Sequence, residues 1–323
     1  MVGCVIVHND EIVGEGYHQK YGEAHAEVNA INDVLKKHGS NADAILKNAT
    51  LYVSLEPCAH FGKTPPCTDL IIKHGIPNVV IGSADPFDQV NGKGIILLRD
   101  AGVVVTPNIL QDECDFLNLR FFTKIKKQRP YIILKWAQTA DHFFAPETAD
   151  QKWISSDAAR VLTHKWRSEE DAILVGANTA LIDNPQLNVR EVTGRNPLRI
   201  VIDRNLELPT FLYLFDYSIP TIVFNARKTA TDRNIKYIEL ENFDELLPQL
   251  ICYQLYLMDV QSVIIEGGAK TLNLFIKHNL WDEGRIFTSP DVWGKGIKAP
   301  VITGKIMDEQ KVGPDTLQII LNQ

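Results

Sequence analysis

One histidine and two cysteines in the first quarter of the chain restrict how it can fold. His25 begins a stretch whose apolar residues recur every three or four positions, which predicts a helix. Cys58 follows a predicted strand over residues 50–55, and Cys67 comes just before a second predicted helix. Imidazole and thiolate groups are ligands that Zn²⁺ prefers. If the three side chains bind one ion, the two helix starts and the strand end must meet.

Glu27 adds a carboxylate two residues after the histidine. A catalytic zinc takes three protein ligands and keeps its fourth position for water. Glu27 is too close to His25 to be an ordinary fourth ligand, but it can reach that water and carry its proton. This pattern is typical of zinc-dependent base deaminases, although their cysteines are separated by two residues and here by eight. The alternative is that Cys58 and Cys67 are merely buried thiols and that His25 caps a helix.

Length and element order predict two α/β domains. The chain has 323 residues, of which 45% are hydrophobic and 23% charged, as in soluble proteins of about two domains. Predicted strands and helices alternate throughout, which favours mostly parallel sheets covered by helices. A predicted helix over residues 110–128 ends at Arg129-Pro130, so we place domains at 1–127 and 128–323.

Charge and cysteine usage exclude several classes of partner. The net charge is −7 and no long basic block occurs, which argues against a nucleic-acid partner. No apolar run approaches the roughly 18 residues of a membrane helix, and the N-terminus lacks the pattern of a signal peptide. The five cysteines are scattered, which indicates a reducing cytoplasm.

In the second half, a predicted strand leads through Glu266-Gly267-Gly268 into a predicted helix. Glycines allow close approach of a ligand, and a helix N-terminus binds phosphate, although such a turn can also be purely structural. Arg167 and Arg190 provide two guanidinium groups suited to a phosphate dianion. Each could instead form a surface ion pair of little energetic value.

Several segments together resemble one family. They are residues 56–67, Asp85-Pro86, Gly92-Lys93-Gly94 and Gly313-Pro314-Asp315, and the resemblance extends over essentially the whole chain. The family is the bifunctional deaminase–reductase of riboflavin biosynthesis. The resemblance implies an α/β fold of two domains, a cytidine-deaminase-like zinc domain followed by a dihydrofolate-reductase-like NADPH domain. It also implies Zn²⁺ and NADPH as cofactors and a phosphorylated pyrimidine as substrate, and we expect a cytoplasmic homo-oligomer.

The resemblance assigns roles to residues in both domains. It implies Glu27 as the catalytic residue, with His25, Cys58 and Cys67 as zinc ligands and Lys63 and Thr64 at the substrate. In the second domain it implies cofactor contacts by Ala137, Trp153, Thr179, Asp183, Gly268, Ala269, Lys270, Thr271, Leu272, Asn273 and Leu274. It implies substrate contacts by Arg167, Leu187, Arg190 and Glu266, and Lys135 and Asp183 are candidate proton donors for the reduction.

The expected reactions are deamination of a diamino-ribosylamino-pyrimidinone 5′-phosphate and NADPH-dependent reduction of its ribosyl group to ribityl. Two alternatives stay open, namely a zinc-stabilised but deaminase-impaired module fused to a working reductase, and a single-function nucleotide or tRNA deaminase. The family has a helix and Asn-Pro ahead of the segment that is Met1-Val2-Gly3 here, so we expect an N-terminally short domain that deaminates poorly. Departures from the family pattern also occur at Phe87, His142, Gln151 and Arg204.

Overall fold

The computed structural model describes residues 2–19, 22–59, 65–87, 91–147 and 154–322. The chain divides into two compact units, Met1–Lys127 and Gln128–Gln323. Within the described ranges, no helix combines the length and the apolar character that crossing a membrane requires.

The first unit alternates strands with helices. Its strands are β1 (Gly3–His8), β2 (Glu11–Tyr17), β3 (Thr50–Leu55), β4 (Asn78–Ser83) and β5 (Val104–Thr106). Its helices are α1 (Ala26–His38), α2 (Ala42–Leu46), α3 (Cys67–His74), α4 (Lys93–Asp100), α5 (Gln111–Leu117) and α6 (Leu119–Lys127). The strand order is β2-β1-β3-β4-β5. β1 pairs antiparallel with β2 and β3, whereas β3, β4 and β5 run parallel, so this sheet is mixed rather than mostly parallel.

Two glycines allow α1 to lie directly on β2. A Cβ atom on Gly16 would lie 2.4 Å from the Ala30 nitrogen and 2.5 Å from the Ala26 oxygen. A Cβ atom on Gly14 would lie 2.4 Å from the Val34 side chain and 2.7 Å from the Ala30 oxygen. Real Cβ contacts are longer than this, so only glycine permits main-chain contact between helix and strand. The two glycines therefore set how closely α1 approaches β2.

The second unit is built on one long sheet. Its strands are β6 (Tyr131–Gln138), β7 (Phe143–Ala145), β8 (Ala172–Gly176), β9 (Leu198–Ile202), β10 (Thr221–Asn225), β11 (Ala230–Asp232), β12 (Ile235–Glu239), β13 (Ser262–Ile265), β14 (Glu283–Thr288), β15 (Ile297–Lys298), β16 (Lys305–Val312) and β17 (Asp315–Leu321). Its helices are α7 (Asp157–Glu169), α8 (Ala177–Asp183), α9 (Phe243–Leu257) and α10 (Ala269–Lys277). Ser156 caps α7, because its side chain accepts a hydrogen bond from the Ala159 N–H group.

The long sheet has the order β11-β12-β10-β9-β8-β13-β6-β14-β17-β16, and β7 pairs separately with β15. Neighbouring strands from β12 to β14 in this order run parallel. Their side chains are buried on both faces, as expected for a parallel sheet covered by helices. The carboxyl ends of β6, β8 and β13 therefore lie side by side at one edge, where ligands bind in open α/β sheets.

Candidate active sites

The three predicted zinc ligands lie together. His25 Nδ1 is 3.5 Å from Cys58 Sγ and 3.3 Å from Cys67 Sγ. The three ligand atoms all lie within 4.8 Å of one another. Two ligands of a tetrahedral zinc, bound at about 2.0–2.3 Å, are separated by roughly 3.3–3.8 Å. The residues therefore fit a zinc ion with one His and two Cys ligands.

Backbone hydrogen bonds hold the two cysteine segments in place. The Cys67 N–H donates to Cys58 Sγ at 3.2 Å. The Thr68 N–H and hydroxyl both donate to the Cys58 carbonyl, at 3.3 and 3.2 Å. Ahead of α1, the Asn29 side-chain amide donates to the carbonyl of Ala24 at 3.3 Å. The ligands are thus positioned by the end of β3 and by the starts of α1 and α3.

Glu27 lies in the first turn of α1 and is only 3% exposed. Burial raises the pKa of its carboxyl group, and the neighbouring Cys58 adds to that effect. The pKa of Cys58 itself is lowered to about 4, first by a hydrogen bond from Cys67 and also by His25. A buried carboxylate beside three potential metal ligands is suited to holding and releasing a proton.

Two further residues of this unit contribute to the site without having been predicted. His18 packs edge-on against the His25 ring, with 5.4 Å between the ring centroids. Glu56 is 4% exposed, and its carboxylate accepts hydrogen bonds from four backbone N–H groups. The donors are Gly92 and Gly94 at 2.9 Å and Asp85 and Ile95 at 3.3 Å. Glu56 thereby links the end of β3, two residues before Cys58, to the start of α4.

In the second unit, a cavity of about 400 Å³ lies at the carboxyl ends of the central strands. Seven of the predicted site residues line it, namely Ala137, Arg167, Thr179, Asp183, Leu187, Arg190 and Glu266. The predicted residues Lys63, Thr64 and Trp153 lie outside the described residues. The cavity thus brings together residues that are far apart in sequence and were predicted to bind the cofactor or the substrate.

The Gly267-Gly268 turn packs against the neighbouring strand end. A Cβ atom on Gly267 would lie 2.7 Å from the Val175 Cα atom, and one on Gly268 would lie 3.1 Å from Thr179 Oγ1. Gly268 also has a φ of 48°, which favours glycine. The close approach of this turn to β8 and α8 therefore requires glycine at both positions.

Helix α10 begins directly after this turn. The N–H of Leu272 donates to the Gly268 carbonyl at 3.1 Å, and its side chain is fully buried in the core. The N–H groups of Ala269, Lys270 and Thr271 precede that bond, so they belong to the first turn, where helices leave N–H groups without internal acceptors. Such a terminus beside a close-packed glycine turn fits a phosphate group of NADPH.

Arg167 and Glu266 form a two-pronged ion pair across the cavity. Arg167 Nε donates to Glu266 Oε1 at 3.0 Å, and Nη2 donates to Oε2 at 2.6 Å. Burial opposes ionisation of Glu266, but the charges of Arg167 and Lys135 lower its pKa to about 2. Burial also lowers the pKa of Lys135. Because its fork already holds Glu266, Arg167 has fewer donors left for a phosphate than the sequence suggests.

His164 is a further residue of this site that was not predicted to have a role there. It is 1% exposed, lies on α7 and lines the cavity. Burial lowers its pKa to about 4, and the positive charges of Arg167 and Arg190 add to this effect. The available signal was its spacing of three residues from Arg167, which places both side chains on one face of a helix.

Both sites lie in segments that match known families. Residues 1–83 match the model described as the cytidine and deoxycytidylate deaminase zinc-binding region, and residues 130–318 match the RibD C-terminal domain. The riboflavin biosynthesis protein RibD of Aquifex aeolicus is 40% identical over 303 residues, covering 92% of this chain and 82% of that protein. The chain belongs to the RibD family. The RibD protein of Bacillus amyloliquefaciens is 38% identical, over 97% of this chain and 85% of that protein.

Solved RibD-family structures have the same fold. A diaminohydroxyphosphoribosylaminopyrimidine deaminase/5-amino-6-(5-phosphoribosylamino)uracil reductase from Thermotoga maritima is 35% identical, with a TM-score of 0.89, and the match covers 99% of this chain and 91% of that one. RibD of Acinetobacter baumannii is 30% identical with a TM-score of 0.85 and the same coverage. As a RibD-family member, the chain is a zinc-dependent deaminase and an NADPH-dependent reductase of riboflavin biosynthesis. The predicted fold class, activities and cofactors are therefore confirmed.

Proposed function

We propose that this chain acts twice on one phosphorylated pyrimidine. Residues 1–127 deaminate diaminohydroxyphosphoribosylaminopyrimidine, and residues 128–323 reduce the resulting 5-amino-6-(5-phosphoribosylamino)uracil. These compounds appear in the name of the Thermotoga maritima relative. The observation that carries the proposal is that one chain contains both sites. The first has three potential zinc ligands beside the buried Glu27, and the second is a cationic cavity beside a glycine turn.

The deaminase step depends on His25, Cys58, Cys67 and Glu27. A zinc ion held by the first three residues would supply a Lewis acid that activates water. Glu27 is not one of the ligands, and its burial keeps solvent from competing for its proton. It accepts a proton from the attacking water and passes it to the departing amine. Lys63 and Thr64 remain predicted contacts of the substrate.

The reductase step depends on the cavity at the carboxyl ends of β6, β8 and β13. NADPH supplies a hydride when bound. The first-turn N–H groups of Ala269, Lys270 and Thr271 hold a phosphate of the cofactor. The rest of the predicted cofactor set is Ala137, Trp153, Thr179, Asp183, Gly268, Leu272, Asn273 and Leu274.

The substrate is held on the cationic side of the same cavity. Arg190 has an exposed guanidinium, which suits the phosphate dianion of the substrate. Glu266, fixed by Arg167, is an acceptor for a substrate hydroxyl or ring N–H group, and Leu187 packs beside it. Lys135 can hold the proton that the sugar oxygen needs when the ring opens, since its ammonium group is buried at the cavity.

We further propose that the chain works as a homo-oligomer in the cytoplasm, without a nucleic-acid or membrane partner. The five free cysteines support a reducing compartment. The acidic composition supports a small-molecule substrate rather than a nucleic acid.

The test is a separate steady-state assay of each half-reaction, with zinc measured in every sample. Glu27→Gln should keep zinc and NADPH oxidation but lose deamination by about 10²–10⁴-fold. Arg190→Ala should raise the KM for the uracil substrate about tenfold, since its guanidinium is partly exposed, and leave deamination unchanged. If wild-type protein with full zinc turns over neither compound, the proposed substrates are wrong.

A further inference from the structure

Four polar residues of α7 face the reductase cavity. They are Arg160, Thr163, His164 and Arg167, and their spacing places them on one face of the helix. The face lies next to Arg190, which also lines the cavity. An anionic ligand bound in this cavity would therefore contact α7 through these four side chains.

Three of the four side chains are already engaged with protein groups. The Thr163 hydroxyl donates to the Ala159 carbonyl at 2.8 Å. Arg167 holds Glu266 through both prongs of its fork. Arg160 forms ion pairs with Asp157 at 2.9 Å and Glu191 at 3.5 Å.

His164 differs from them because, within the described part of the chain, only one of its ring nitrogens is hydrogen-bonded. Its Nδ1 accepts the backbone N–H of Arg190 at 3.3 Å. In a neutral ring this bond places the proton on Nε2, which becomes a donor. Among the described residues no acceptor contacts this Nε2–H group, although the residue is 1% exposed and lines the cavity.

Burial, together with the neighbouring charges, keeps this ring neutral. Burial and the positive charges of Arg167 and Arg190 lower the pKa of His164 to about 4, so the ring carries no charge near neutral pH. A neutral N–H donor among guanidinium groups adds a directed hydrogen bond to an anion without increasing the repulsion between cations.

We propose that His164 is a substrate-binding residue of the reductase, whose Nε2–H donates a hydrogen bond to the phosphorylated sugar. The proposal rests on the proposed function, in that the ligand of this cavity carries a phosphoribosyl group. Its Nδ1 meanwhile fixes the backbone at Arg190. One ring thus holds both the ligand and the segment that carries a second cation.

Two substitutions separate these roles of the ring. His164→Asn keeps an acceptor at the position of Nδ1 but loses the distal donor. His164→Gln keeps an N–H donor near the position of Nε2. The partly buried His278, which does not line the cavity, provides a matched control in His278→Asn.

The experiment measures binding of ribose 5-phosphate to the full chain by calorimetry, together with the steady-state KM values of the reductase. We expect His164→Asn to weaken ribose 5-phosphate binding and to raise the substrate KM by about tenfold, with the KM for NADPH unchanged. His164→Gln should restore both values to within about threefold of wild type. Tryptophan fluorescence during thermal unfolding checks that each variant is folded.

Each other result decides against the proposal. If His164→Asn binds like wild type, or if both variants unfold, the ring serves only to hold the backbone. If wild type does not bind ribose 5-phosphate, the donor does not serve a phosphorylated sugar. Failure of the proposed function is a separate result, because wild type would then bind ribose 5-phosphate without oxidising NADPH on the uracil substrate.

Discussion

Replacing Glu56 tests how the deaminase site is held together. The carboxylate is 4% exposed and accepts four backbone N–H groups, two of them at 2.9 Å. In Glu56→Ala those donors lose their acceptor, at about 1–3 kcal/mol for each buried group left unpaired. Counting only the two short bonds gives about 2–6 kcal/mol. Water can enter the space and recover part of this, so we expect a loss of about 3–4 kcal/mol in the stability of the first unit.

Tryptophan placement makes this loss measurable in the intact chain. All five tryptophans lie at or beyond Trp136, so tryptophan fluorescence reports on the second unit, whereas far-ultraviolet circular dichroism reports on both. Glu56→Ala should show an early urea transition by dichroism, with zinc released in that transition, while the fluorescence transition stays in place. Glu56→Gln should fall between Glu56→Ala and wild type, because its amide oxygen still accepts while its NH₂ group faces other donors.

The control is Glu11→Ala, which removes an exposed carboxylate from β2. It should change stability by less than about 0.5 kcal/mol. The role of Glu56 in holding the site together is refuted if Glu56→Ala unfolds at the same urea concentration as this control and keeps both zinc and deaminase activity. It is also refuted if the fluorescence transition moves as far as the dichroism transition.

Three further predictions follow from the two sites. Cys58→Ser should lose most of its zinc by elemental analysis while Cys114→Ser keeps it, and full occupancy in the first variant would contradict the ligand set. Gly267→Ala places a Cβ atom 2.7 Å from a backbone carbon, so it should lower the stability of the second unit by about 1–3 kcal/mol. Reductase activity should fall at least tenfold while deamination is unaffected. An unchanged reductase rate would show that the turn can shift freely. The pKa of Glu266 falls from 4.5 to about 2 on folding, so its stabilisation of about 3 kcal/mol is present above pH 4.5 and is lost as the pH falls to about 2. The stability difference between wild type and Glu266→Gln should therefore narrow over that range, and a constant difference in acid unfolding experiments would refute the charge pairing.

The close approach of His25, Cys58 and Cys67 could be predicted because zinc binding requires particular residue types. His25 and Cys67 stand at the starts of helices, and Cys58 follows a strand. Few kinds of site other than a zinc site combine one histidine with two cysteines. The pairing of Arg167 with Glu266 could not be predicted in the same way. The two residues are 99 positions apart, and many charged residues of opposite sign could have been their partners.

Some elements differed from their predictions for local reasons. The helix predicted over residues 110–128 is two helices, α5 and α6, which meet at Asn118. The side-chain amide of Asn118 donates to the Cys114 carbonyl at 3.1 Å, and such local bonds compete with helix continuation. The hairpin of β16 and β17 was not predicted, because nearly all of β16 is exposed and its sequence lacks the alternation of a half-buried strand.

The glycine contacts between β2 and α1 decide where this enzyme can vary. Because Gly14 and Gly16 bring the main chain of β2 close to that of α1, the location of His25 and Glu27 depends on these two positions lacking a side chain. A mutational library could therefore vary the exposed face of α1 and still keep the side chains of His25 and Glu27 in the same positions. The same library should recover almost no substitutions at the two glycines, so both positions would be invariant although neither is a predicted ligand-binding or catalytic residue.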